Sequence, residues 1–277
     1  MKTIIILCSI LIVIIVFFIA SDRMFYYGFV RQSKEILAEN EHMDPGIITE
    51  ESLAGLPEVV AQYIRYSGLV GKRKIRSVRL HHSGSFRYAA DKDFVSIKGE
   101  YSLTSDKPSF CWYGKINLAP GLSIAAFDSY YNGHGRMRVK IMSAFKLADE
   151  QSELTDKSSF GRLVTEMAMI PSFFLDSVRI SWTRHDTLHA ECIVRDSGLE
   201  TTAQLHFNAS GALEKIAVER YYGSDDGQST LETFTGIANG SRNHNGLVLP
   251  EVFDGYWNFK TGDLHYVHFV VDRVEYE

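Results

Sequence analysis

The sequence predicts a mainly β (α+β) protein: one large, curved antiparallel sheet or half-barrel wrapping a single inserted helix, with an N-terminal transmembrane helix ahead of it. Three observations carry this. Residues 4–20 are apolar at every position except Ser9. From Ile75 onward, apolar and polar residues alternate with period two through a long series of short segments. One stretch midway breaks that series with a helical period.

The first element is the apolar run, whose length is at the lower end of what crosses a bilayer core of about 30 Å. Phe25, Tyr26, Tyr27 and Phe29 follow at once, where an aromatic interfacial belt would sit. A cleaved signal peptide is the competing reading, but the run exceeds the usual h-region of about 7–15 residues and Ile19 before Ser21 makes a poor cleavage site. Lys2 on one side and Arg23, Arg31 and Lys34 on the other leave the positive-inside count nearly balanced. A short n-region before a long apolar run favours a signal anchor over 1–21, with the soluble part on the extracytoplasmic side. Residues 22–48 read as a juxtamembrane connector closed by the turn signal Met43-Asp44-Pro45-Gly46.

Residues 49–277 then form a single domain. Thr49 as N-cap, Glu50 and Glu51 in the first turn, and Leu53, Leu56, Val60, Tyr63 and Ile64 on one face predict a helix near 49–66, ended by Gly68. Strands are expected near 76–89, 94–104, 109–118, 123–131 and 136–147, the last with Met137, Val139 and Ile141 alternating with Arg136, Arg138 and Lys140. The inserted helix falls near 158–175, with Leu163, Val164, Met167 and Ile170 in a stripe that Pro171 kinks or ends. Strands resume near 178–185, 187–195, 199–207, 212–222, 229–237, 247–259 and 265–276. The second of these series holds the clearest hairpin, turning at Asn208-Ala209-Ser210-Gly211. Asp225-Asp226-Gly227 reads as another turn.

A formal net charge of −5 and a pI near 6.1 give no electrostatic footprint for nucleic acid. Of the cysteines, Cys8 lies in the apolar run, so only Cys111 and Cys192 could pair, too few for a disulfide framework, and no Cys-x-x-Cys is present. No nucleophile elbow, His-Glu-x-x-His or phosphate-loop sequence occurs. His81-His82 and His265-x-x-His268 face opposite ways on regular strands, so no metal and no cofactor are expected.

The run Cys111-Trp112-Tyr113-Gly114-Lys115-Ile116 with Ala119-Pro120-Gly121, then Asp128, Tyr130, Gly133, Gly135-Arg136-Met137 and Val139-Lys140, resembles a family of uncharacterised bacterial proteins. Tyr63-Ile64-Arg65-Tyr66, Phe86-Arg87 and Arg220-Tyr221 extend the likeness over most of the chain after about residue 56; Arg73 and Phe94 depart from it, where proline and tryptophan are expected. The resemblance implies no activity, catalytic residue or cofactor. The order of many strands around one apolar helix is similar, in architecture alone, to periplasmic lipoprotein carriers that shelter acyl chains.

Three functional readings follow. The first is a membrane-tethered binding module for a lipid or other apolar ligand, sheltered by aromatic residues such as Trp112, Tyr113 and Tyr130, with Arg65, Arg87 or Arg136 to pair with an anionic headgroup. The basic cluster Lys72, Arg73, Lys74, Arg76, Arg79 and Arg87 could face headgroups too, or guard an exposed strand edge. The second is an enzyme centred on Asp128, His134 and Arg136. The third is a cell-envelope protein-interaction module. The expected partners are the bilayer, through the N-terminal helix, and the apolar ligand.

Overall fold

The computed structural model describes residues 1–40, 46–223 and 229–277; the turn expected at 225–227 and most of that at 43–46 lie outside them. Among the described residues the sheet is built from β1 (Ser77–Phe86), β2 (Val95–Thr104), β3 (Ser109–Ala119), β4 (Leu122–Tyr131), β5 (His134–Ile141) and β6 (Phe145–Glu150). A second series follows: β7 (Ile180–His185), β8 (His189–Asp196), β9 (Leu199–Phe207), β10 (Leu213–Gly223), β11 (Ser229–His244), β12 (Leu247–Phe259) and β13 (Gly262–Tyr276). All neighbours are antiparallel, in the order β6-β5-β4-β3-β2-β1-β13-β12-β11-β10-β9-β8-β7. Each series is a meander, and the two join where the first strand pairs with the last, from Val78 opposite Tyr276 to Phe86 opposite Val267. β1 is therefore a central strand, not the exposed edge that its basic residues suggested.

The expected strand at 136–147 is two. Met142 and Ser143 adopt left-handed backbone (φ 53° and 55°), reversing the chain between β5 and β6.

The two free edges, β6 and β7, are joined by α3 (Glu153–Glu166), which crosses the concave face. It starts five residues before the expected helix because Ser152 accepts a hydrogen bond from the Thr155 backbone N–H at 3.2 Å, a cap the sequence reading missed. It stops at Glu166 because Pro171 disfavours helical backbone at Ile170, and the rest of the apolar stripe continues in 3-10 turns at Met167–Met169 and Pro171–Leu175. Phe160, Leu163, Val164, Met167, Ile170, Phe173 and Phe174 are all buried between the sheet's curled halves. The other expected helix is shortened in the same way: a 3-10 turn at Glu51–Leu53 precedes α2 (Glu58–Tyr66), which begins only after Pro57. α2 plugs one end of the half-barrel, with the Tyr63 hydroxyl donating to the Ala168 carbonyl at 3.1 Å.

The N-terminal helix is longer than the apolar run. α1 spans Lys2–Asn40 without a break, and its second half lies on the outer face of β2 to β4. There a cross-strand row, Glu100, Tyr113, Phe127 and Arg138, meets it. Phe25 and Phe29 pack on Tyr113 and Phe127, Tyr26 donates to Glu100 at 2.9 Å, and Ser33 meets Ser102 at 2.6 Å. Phe25 and Phe29, expected to float in an interfacial belt, are thus buried against the sheet because their i,i+4 spacing puts both on the docked face.

Phe29→Ala should cost about 3–5 kcal/mol, whereas Tyr27→Ala, on the exposed side of the same turn, should stay within about 0.5 kcal/mol. Urea unfolding of the full chain in detergent, followed by near-ultraviolet circular dichroism, measures both.

Candidate functional site

Because side chains alternate across a strand, Tyr113 points to α1 while its neighbour Trp112 points into the half-barrel. Trp112 belongs to an inner row that runs Leu80, Tyr101, Trp112, Asp128 across β1 to β4. Above this row α3 places Arg162 and Glu166, one turn apart on one face. Arg162 donates to Asp128 Oδ2 at 2.6 Å and to Glu166 Oε1 at 2.9 Å. Its guanidinium lies 5.7, 5.0 and 4.9 Å from the ring centres of Tyr101, Phe110 and Trp112.

A second arginine mirrors it from the other meander. Arg220 on β10 lies 4.6 Å over Phe234 and 5.1 Å over Trp257, and its Nε donates to the Ser158 carbonyl at 3.1 Å. The concave face thus carries two arginines and two carboxylates inside an aromatic lining.

The floor is thin. Gly99 and Gly114 face each other on β2 and β3. A Cβ on Gly99 would lie 2.3 Å from His82 Nε2, and one on Gly114 would lie 2.3 Å from the Trp112 ring. Only glycine leaves room there for the His82 and Trp112 rings to lie flat on the sheet. Trp112 Nε1–H donates to His82 Nε2 at 2.8 Å, so the imidazole proton sits on Nδ1.

The electrostatics follow from this geometry. Burial pushes the Asp128 carboxyl up despite the pull of Arg162 and Arg220, and pushes Glu166 up further against the pull of Arg220. Burial likewise lowers both arginines, which nevertheless stay cationic at neutral pH. Side-chain exposures of 14% for Arg162, 19% for Asp128 and 28% for Glu166 show that solvent reaches the cluster, which tempers the desolvation penalty. Burial, then the charges of Arg162 and His81, depress the His82 imidazole to about 3, so it is neutral.

Five side-chain atoms at this cluster are buried without a hydrogen-bond partner: Asp128 Oδ1, Glu166 Oε2, the Tyr101 hydroxyl, His82 Nδ1 and Trp257 Nε1. Three can donate and two accept.

Of the residues singled out from sequence, Trp112 and Asp128 belong to this cluster. Tyr130 is inside but its hydroxyl is held by Asp196 at 2.8 Å. Tyr113 is outside, under α1. Arg65 pairs with Glu50 and Glu58 on exposed α2, Arg136 pairs with Asp149, and His134 sits 3.3 Å from Asp156. His134 and Arg136 therefore do not join Asp128 in one site: Arg136 alternates to the outer face and His134 stands on the rim of the β4–β5 turn. Arg87 stacks over Phe94 at the end of β1, a strand's length from Lys72, Arg73 and Lys74, so the basic residues form no single patch. His265 and His268, expected on opposite faces, converge at 2.8 Å each on Asp254 Oδ1, because an irregularity in β12–β13 pairing at Gly255/Tyr256 shifts the alternation.

Sequence reasoning missed Tyr101, Arg162, Glu166 and Trp257, set His82 aside with the metal reading and met Arg220 only in the family likeness. A signal existed for some: Gly99 and Gly114 interrupt strands where close approach is the usual reason.

Comparison with known proteins places the chain in a family: residues 46–269 match the family of unknown function (DUF6544), and the chain belongs to it. No curated protein matches. Among solved structures, a putative outer membrane lipoprotein-sorting protein domain from Vibrio parahaemolyticus is similar at 8% identity, over 79% of this chain and 91% of that chain, with a TM-score of 0.39.

Asp128→Ala should cost about 1–3 kcal/mol, since Arg162 loses one of its two carboxylate partners and keeps Glu166, while Asp128→Leu combined with Arg162→Met should recover part of it; a double-mutant cycle in urea measures this. His82 gives a pH dependence. Between its ordinary value of 6.5 and about 3 the unfolded chain binds a proton there and the folded chain does not, so its contribution to stability falls as pH falls through that window. Asp128 and Glu166, with raised pKa values, act in the opposite direction. His82→Gln, which still accepts from Trp112, isolates the histidine: the stability advantage of wild type over H82Q should shrink by up to about 1.4 kcal/mol per unit from about pH 6 to about pH 4, read from denaturant midpoints.

Proposed function

We propose that this member of the family of unknown function is a membrane-tethered binding module for a lipid or similar amphiphile. The polar end of the ligand meets the Arg162 and Arg220 cluster on the concave face. Its apolar part lies along the half-buried residues between the cluster and the unplugged end of the half-barrel, among them Phe86, Val95, Tyr222, Phe259 and Tyr266. The observation that carries this reading is the set of five unpartnered polar atoms inside an aromatic lining. Since a buried polar atom left unpaired costs about 1–3 kcal/mol, these atoms call for a partner from outside the chain, water or the polar end of a ligand. An amphiphile supplies both the missing hydrogen bonds and the apolar surface beside them.

Two surface hollows compete for the role and fit it less well. One of 820 Å³ is lined by Arg184, Asp186, His189, Glu191, His206 and Lys215, and one of 380 Å³ lies beside the α2 plug. The first is walled by charged and imidazole groups that suit water better than acyl chains.

The anchor reading of residues 4–20 rests on length and composition: the segment is helical, apolar but for Ser9, and exposed but for half-buried Phe18. It places the ligand's source, the bilayer, next to the site. The test is photocrosslinking of the full chain in detergent micelles with a fatty acid carrying a terminal diazirine. Adducts are expected on inner-face residues such as Phe86, Trp257 and Tyr266, reduced severalfold by unlabelled fatty acid, as saturable occupancy requires. Adducts confined to residues 4–20, or insensitive to competition, would sink the reading.

A further inference from the structure

The unplugged end of the half-barrel and the apolar half of α1 are at the same end of the molecule. α1 runs antiparallel to β3: Asn40 caps the Lys107 backbone N–H at the start of that strand, at 3.0 Å, and Asp22 pairs with Lys115 near its end, at 2.9 Å. Asp22 also accepts from Ser143, in the β5–β6 turn, at 2.7 Å. Residues before Asp22 therefore leave the fold beside the β3–β4 and β5–β6 turns. The hairpin order puts the β1–β2 loop at this end too, and α2 at the other.

That rim carries exposed apolar side chains beside its charged ones, which include Asp91, Lys92 and Lys146. Leu118 and Leu122 flank the β3–β4 turn, Phe145 follows the β5–β6 turn, and Tyr88 and Phe94 bracket the β1–β2 loop; all are exposed, Phe145 at 57%. Phe145 is already continuous with the helix, its ring 6.1 Å from that of Phe18 inside the apolar run. At 1.5 Å rise per residue, Phe18 lies about 6 Å below Asp22, the depth of a bilayer interface if residues 4–20 span the core.

We infer that this rim is a second membrane contact: Leu118, Leu122, Phe145, Tyr88 and Phe94 insert into the interface of the bilayer that holds α1, so that the open end of the half-barrel stands directly on it. Exposed leucine and aromatic side chains at headgroup depth gain by partial burial in the acyl boundary. A rigid helix docked along β3 fixes the distance and tilt at which they meet it. The inference rests on reading residues 4–20 as an anchor, but not on what the concave face binds.

The test uses the full chain with Cys8→Ser, whose two other cysteines are buried, carrying one bimane-labelled cysteine at a time: Ile12→Cys, Leu122→Cys, Phe145→Cys or Ala209→Cys. Ala209 lies in the β9–β10 turn, at the α2 end. Each is reconstituted in vesicles of phosphatidylethanolamine and phosphatidylglycerol doped with a headgroup-nitroxide lipid, and the label at 12, which lies at the centre of the span, is read instead with a lipid whose nitroxide is near the end of an acyl chain. Labels at 122 and 145 are expected to be quenched about twofold or more beyond the label at 209, as interfacial residues are. Quenching at 12 with 122 and 145 no different from 209 overturns the inference and leaves the anchor standing. Absence of quenching at 12 overturns the anchor, and the inference with it. Leu118→Cys serves in place of Leu122→Cys or Phe145→Cys if either misfolds.

Discussion

The pairing of β1 with β13 is the constraint on which the rest depends. It joins two meanders that are otherwise local, and it does so between segments nearly the whole domain apart in sequence, so its closure entropy is met only by a long ladder of backbone bonds and a buried inner face. Once it forms, β6 and β7 become the outermost strands of a thirteen-stranded sheet. The chain between them has one economical route, across the concave face. α3 takes that route, and its apolar side gives the curling halves of the sheet something to close on. The position of Arg162 and Glu166 over the inner face is a consequence of topology as much as of their own chemistry.

Much of this was legible in the sequence. Period-two alternation located nearly every strand, and the helical period located the insertion, because both report burial on one face. The failures were local. Left-handed Met142 and Ser143 make a turn with no glycine, asparagine or proline to announce it. The Ser152 cap was overlooked because the apolar stripe begins a turn later. The site was much less legible. Trp112 and Asp128 could be singled out, but Arg220 and Trp257 come from the opposite meander and Arg162 and Glu166 from α3, and contact between distant segments leaves no periodic trace. His134 and Arg136 were attractive for their glycine-flanked setting, yet strand parity turns them away from Asp128.

The cluster is a costly arrangement if stability is its purpose. Burial outweighs pairing for both the carboxylates and the arginines, and a well-packed apolar substitute for a buried ion pair is often neutral or more stable. Glycine at 99 and 114 adds to the cost, since each weakens a central strand. What these features share is that they hold flat rings and fixed charges around unsatisfied hydrogen-bonding atoms. On the proposed reading that is preorganisation, which lowers the cost of receiving a polar group from outside. The neutral His82 fits the same logic: its N–H is offered as a donor without adding a third positive charge beside the two arginines.

The first helix carries the argument from site to location. A flexible tether sets only how far a domain can wander from a membrane, and leaves its orientation free. α1 has no such freedom, because the residues after the apolar run are clamped along β3 by Asp22, Tyr26, Phe29, Ser33 and Asn40 over nearly the full length of the strand. Any force that fixes the apolar half in a bilayer also fixes the angle of the sheet. On the proposed function the opening exchanges an amphiphile with that bilayer, and the apolar part need never cross water if rim and membrane stay in register.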